Sequence, residues 1–89
     1  MTKYEYAEKA IKEFKKLGKH ITNNELVGNR KLLYLKVYYR EKGKINMFDK
    51  VMKTAMNFPK LKYAGSNGVG FTTKAGYNYS VSYFLIKSI

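Results

Sequence analysis

The amino-acid sequence predicts an α+β domain, and three observations carry that expectation. Residues 3–17 place Ala7, Ala10, Ile11, Phe14 and Leu17 at the three-and-four spacing of one apolar helical stripe. Residues 32–40 and 77–85 alternate with the period of two that belongs to strands. A second helical stripe lies between them and is stopped by Pro59, which pushes the residue before it out of the α region. The expected order is an N-terminal helix, one strand, a second helix, and then a C-terminal three-stranded antiparallel meander. A winged-helix-like arrangement is the alternative, with Ile21 to Val27 as one helix, Asn29 to Glu41 as a recognition helix and the later hairpin as the wing. Val37-Tyr38-Tyr39 is poor helix material, which favours the first arrangement.

Taken in order, Thr2 and Glu5 have the spacing of a capping box, and Gly18 can close the first helix in the left-handed conformation. Glu5 with Lys9 and Glu8 with Lys12 sit one turn apart in the favourable orientation, while Lys15, Lys16 and Lys19 complement the negative pole of the helix. Thr22 and Glu25 repeat the capping spacing, so a short helical turn is expected there, ended by Gly28. The strand at 32–40 divides Leu33, Leu35, Val37 and Tyr39 from Tyr34, Lys36, Tyr38 and Arg40, and Glu41 to Lys44 reads as a turn. Asn46 caps a helix running to about Phe58, with Phe48, Val51, Met52, Ala55 and Met56 as its buried stripe.

Beyond Pro59, Lys60 to Ala64 and Val69 to Thr73 read as strands around Gly65-Ser66-Asn67-Gly68. Asn67-Gly68 is the dipeptide of two-residue type I′ hairpins. After a turn at Lys74-Ala75-Gly76, the last strand sets Tyr77, Tyr79, Val81, Tyr83 and Leu85 against Asn78, Ser80 and Ser82.

Eighty-nine residues with 45% apolar content suit one domain, in which roughly 60 to 65% of the unfolded surface can be buried. The absence of cysteine excludes a disulfide framework, a thiolate metal site and a cysteine nucleophile. One histidine and six scattered acids supply too few ligands for a transition-metal site, so no cofactor is expected. The opening residues lack the pattern of a secretory signal, and no apolar run approaches membrane-spanning length. A cytoplasmic protein that does not use the membrane is the corresponding expectation.

The net charge of +12 points to a polyanion as partner, nucleic acid first. Lysine outnumbers arginine sixteen to two, which A/T-rich codons would produce in any protein, but codon bias does not supply the deficit of acids. The candidate site is the strand face of Tyr34, Lys36, Tyr38 and Arg40, continued by Lys42 and Lys44. Interleaved rings and cations offer stacking surface for unpaired bases and neutralising charge for the phosphates beside them. Lys60 and Lys62 extend this face if their strand is a neighbour. The ordinary reading of the same pattern is that the tyrosines pack beneath a helix while the lysines snorkel outward.

The glycines of Gly65 to Gly70 lack the Lys-Ser/Thr and following helix of a phosphate-binding loop. No catalytic residues are expected. The enzymatic alternative is a metal-independent ribonuclease toxin with His20 as general base. A further alternative is a small phage- or plasmid-type inhibitor, an anti-defence protein docking on an acidic protein or a nucleoprotein complex.

Overall fold

The computed structural model describes residues 1–43 and 46–89 and, for residues 69–72, the strand path without the side chains. The elements run α1 (Lys3–Lys15), β1 (Ile21–Gly28), β2 (Leu33–Lys42), α2 (Met47–Ala55), β3 (Leu61–Thr72) and β4 (Tyr77–Ile86). The strands form one antiparallel sheet in the order β1-β2-β4-β3. Ala7, Ala10 and Phe14 of α1 and Met47, Val51 and Ala55 of α2 join one core with Leu33, Leu35, Val37 and Tyr39 of β2. Both helices therefore cover the same face of the sheet, and the architecture is the α+β one that the alternation of patterns predicts.

The helix boundaries follow their capping residues. Thr2 Oγ1 accepts the Glu5 N–H at 3.1 Å, and Glu5 Oε1 accepts the Thr2 N–H at 2.9 Å, which closes the capping box. The Glu5 carboxyl is held below its ordinary value chiefly by that backbone hydrogen bond. Asn46 Oδ1 accepts the Asp49 N–H at 3.1 Å, and Glu41 Oε2 accepts the Met47 N–H at 2.8 Å, so two side chains satisfy the first turn of α2. The stripe of α2 is shifted from the expected one. Met47 is fully buried, whereas Met56 lies past the last helical turn and is 79% exposed.

Two further expectations are corrected. The segment from Thr22 to Gly28 is strand β1 and not a helical turn, because its backbone is paired with β2 from Asn23↔Tyr38 to Gly28↔Leu33. Residues 29–41 likewise lead through a tight turn into strand β2, which removes the recognition helix of the winged-helix alternative. Asn29 builds that turn, its Oδ1 accepting the N–H groups of Lys31 and Leu32 at 2.9 and 3.1 Å.

The second correction concerns β3, which is continuous where an Asn67-Gly68 hairpin was expected. Asn67 pairs with Val81 and Gly68 with Ser80, and neither Asn67 nor Gly68 has positive φ, so the type I′ geometry is not formed. The chain instead reverses at 73–76, where the Thr73 N–H donates to Tyr77 O at 2.9 Å and Gly76 takes φ 86°. A bulge breaks the register of β3 between Tyr63 and Gly65, with φ 122° at Gly65.

The bulge decides which side chains face the helices. Beyond it, Ser66 pairs with Ser82 on the covered face. There the Tyr39 hydroxyl is hydrogen-bonded to Ser82 Oγ at 2.9 Å, Ser82 to Ser66 at 2.7 Å, and Ser66 to the Tyr63 hydroxyl at 2.7 Å. This chain of hydroxyls crosses β2, β4 and β3, so the polar groups that Ser82 and Tyr39 carry into the core are satisfied. Ring contacts fill the surroundings: Phe14 stacks on Phe84 with centroids 5.8 Å apart, and Tyr63 meets Phe48 and Phe84 edge-on at 5.9 Å each.

Candidate nucleic-acid interface

Directly paired residues of an antiparallel ladder point to the same side, so the register defines the composition of the uncovered face. Its rows read Val27–Tyr34–Leu85–Lys62, then Glu25–Lys36–Tyr83–Gly65, then Asn23–Tyr38–Val81–Asn67. Arg40–Tyr79 and Lys42–Tyr77 follow toward the end of β2. Successive rows lie about 6.8 Å apart along the strands. Five tyrosines and four cations thus share one side of the sheet, with neither helix across it.

The cations lie against the rings. Lys36 Nζ is 5.4 Å from the Tyr83 centroid and 5.9 Å from that of Tyr38. The Arg40 guanidinium carbon is 4.3 Å from the Tyr77 centroid, and Lys42 Nζ is 5.2 Å from the same ring. Such contacts hold both partners in a fixed geometry. The hydrogen bond from Lys36 Nζ to the Tyr38 hydroxyl, 3.5 Å long, raises the ammonium pKa above its ordinary value against the opposing effect of burial. Lys36 therefore stays charged across the neutral range.

Acidic groups are nearly excluded from this side. Among the described residues Glu25 is the one carboxylate on the uncovered face, 3.7 Å from Lys36 Nζ and 3.4 Å from the Tyr38 hydroxyl. Glu5, Glu8 and Glu13 belong to α1, Asp49 belongs to α2, and Glu41 turns to the N-terminus of α2. The field above the tyrosines is consequently positive.

Of the residues singled out in the sequence, Tyr34, Lys36, Tyr38, Arg40 and Lys42 stand in line on β2 on the uncovered side, so the tyrosines are not packed beneath a helix. Lys62 is on the same side but one strand further away than expected, since β4 separates β3 from β2. Lys60 precedes β3, and its N–H donates to the Tyr6 hydroxyl of α1 at 3.0 Å, outside the paired rows. Lys44 lies outside the described residues. Tyr77, Tyr79 and Tyr83 complete the face and were not singled out. Their shared parity on β4 was visible, but which strand β4 pairs with was not. Between Val27, Tyr34, Lys36, Ala64 and Tyr83 the surface sinks into a shallow depression of about 290 Å³.

Among the described residues there is no group of three or more metal-ligating side chains, and no helix is long and apolar enough to cross a membrane. No protein-family model matches the chain, and no curated protein or solved structure matches it.

Proposed function

We propose that the protein binds single-stranded nucleic acid on the uncovered face of its sheet. The observation that carries this reading is the register that puts Tyr34 and Tyr38 of β2 beside Tyr77, Tyr79 and Tyr83 of β4, with Lys36, Arg40 and Lys42 among them. Unpaired bases stack on such rings whatever their sequence, each stack contributing about 1 to 3 kcal/mol, and the cations neutralise the phosphates between them. A duplex fits the surface less well, because its bases are already stacked on one another and the helices that would enter a groove are packed on the other side. Recognition of this kind is by backbone charge and base planes, without a base-specific code.

The test is fluorescence anisotropy with labelled single-stranded RNA, single-stranded DNA and duplex DNA, between roughly 50 and 200 mM salt, where counterion release changes affinity strongly. Tighter binding of the single strands, lost on Tyr38→Ala beyond the loss on Lys36→Ala, is the expected result. Weak binding alike for all three polymers, gone at the upper salt, overturns it and transfers the charge to an acidic protein partner.

A further inference from the structure

We infer that the corner where Arg40, Lys42 and His20 surround Tyr77 is a site for a terminal phosphomonoester, the end group of a strand lying on the face. This inference rests on the nucleic-acid reading above. The Arg40 guanidinium and the Lys42 ammonium lie against the Tyr77 ring at 4.3 and 5.2 Å, and the His20 ring centroid is 6.4 Å from that of Tyr77. The backbone ties the group together, since the Arg40 N–H donates to His20 O at 2.8 Å. The β3–β4 turn comes up against the stem of Lys42 at Gly76, where a Cβ would stand in ordinary contact with Lys42 Cε at 3.8 Å.

Three features favour an end group over a phosphate within a chain. The first is charge. A phosphodiester carries one negative charge, whereas a phosphomonoester carries about −1.5 to −2 at neutral pH, which two adjacent cations match better. Arg40 adds a planar fork of donors suited to phosphate oxygens.

The second is the absence of competition. Among the described residues no carboxylate joins this corner: Glu41 is engaged by the Met47 N–H, and Glu25 stands opposite Lys36, about 14 Å back along β2. Arg40 Nε and His20 Nδ1 are both buried without a hydrogen-bond partner. Desolvating such nitrogens costs stability, and an anion held by the remaining guanidinium N–H groups and the Lys42 ammonium offsets part of it.

The third is position. Lys42 ends β2 and Tyr77 begins β4, so this row is the last of the two central strands. A strand that follows the tyrosines and ends with them places its end group here.

The experiment compares three forms of one single-stranded RNA of about eight nucleotides, within the usual site size for such surfaces, with a label at an internal position. One form carries a 5′-phosphate, one a 3′-phosphate, and one hydroxyls at both ends. One phosphorylated form is expected to bind about tenfold tighter than the hydroxyl form, the order of one good charge-assisted contact. Which form it is gives the polarity of the strand. Arg40→Gln and Lys42→Gln should narrow that ratio, while Tyr34→Ala, at the far end of the face, should weaken all three forms and leave the ratio in place. Equal binding of the three forms overturns the end-group site and leaves the nucleic-acid reading standing.

If none of the three binds, inorganic phosphate is titrated against the proton NMR signal of the single imidazole. A shift of His20 that is lost in Lys42→Gln keeps a phosphomonoester site and discards the strand, and no shift discards both.

Discussion

Lys36 on β2 and Tyr83 on β4 stand directly opposite each other, with the ammonium 5.4 Å from the ring centroid. The pair joins the two central strands on the side that the helices leave uncovered. Tyr83 lines the depression between Val27 and Ala64, and under the proposed function its ring is a plane for an incoming base. Tyr83→Ala should therefore weaken single-stranded RNA binding about tenfold or more, the value of one lost stack. Tyr83→Phe keeps the plane and gives up only the 3.3 Å hydrogen bond from Asn67 Nδ2, and should bind nearly as the parent does in the same anisotropy titration.

Glu25 is an internal competitor for Lys36. Glu25→Gln should strengthen binding and steepen the plot of log affinity against log salt by roughly 0.7, the increment for one more phosphate neutralised on a single strand. A salt series on the two proteins measures it. An unchanged slope would mean that Lys36 does not reach the phosphates.

The hydroxyl chain on the covered face predicts a stability effect separate from binding. Tyr39→Phe removes the 2.9 Å hydrogen bond to Ser82 but leaves Ser82 bonded to Ser66, so the loss should be about 1 kcal/mol in urea unfolding. Burial, the largest influence on it, raises the Tyr39 phenol above the ordinary tyrosine value of 10.0. The folded state holds this proton more tightly than the unfolded one, so the contribution is fully present below pH 10.0 and is lost as pH rises through the folded value. The parent should thus lose more stability on the alkaline side than Tyr39→Phe does.

Gly28 closes the β1–β2 hairpin at φ 113°, and a Cβ there would run into the Leu32 carbonyl oxygen. Gly28→Ala should cost at least about 2 kcal/mol, in the upper part of the usual range for one substitution. Gly18→Ala, with φ 89° but open space around it, should cost less, as thermal unfolding of the pair would register.

Much of the candidate site could be read from β2 alone, because Leu33 to Arg40 alternates between the two solvents that a one-sided sheet offers. The same rule did not identify β1. Thr22-Asn23-Asn24-Glu25 is polar throughout, since an edge strand needs few apolar contacts, and its Thr-x-x-Glu spacing imitates a helix cap. For β4 the parity was legible but the side was not. Tyr77, Tyr79, Val81, Tyr83 and Leu85 form its more apolar face, yet Ser82, Phe84 and Ile86 are the residues turned to the helices. Ser82 is hydrogen-bonded there to the Tyr39 hydroxyl, a tertiary relationship that no local pattern encodes.

The bulge in β3 has a genetic corollary. One surplus residue at Ala64–Gly65 separates Tyr63 from Ser66 by three positions although both lie inside, with Asn67 outside. Deleting Ala64 would let Gly65 follow Tyr63 in unbroken register, with Ser66 still opposite Ser82 and Asn67 still opposite Val81. The paired stretches on either side have no such slack, since one residue lost or gained there turns every later side chain to the other face, so evolution can change the length of this strand at its bulge at far lower cost than within its ladder.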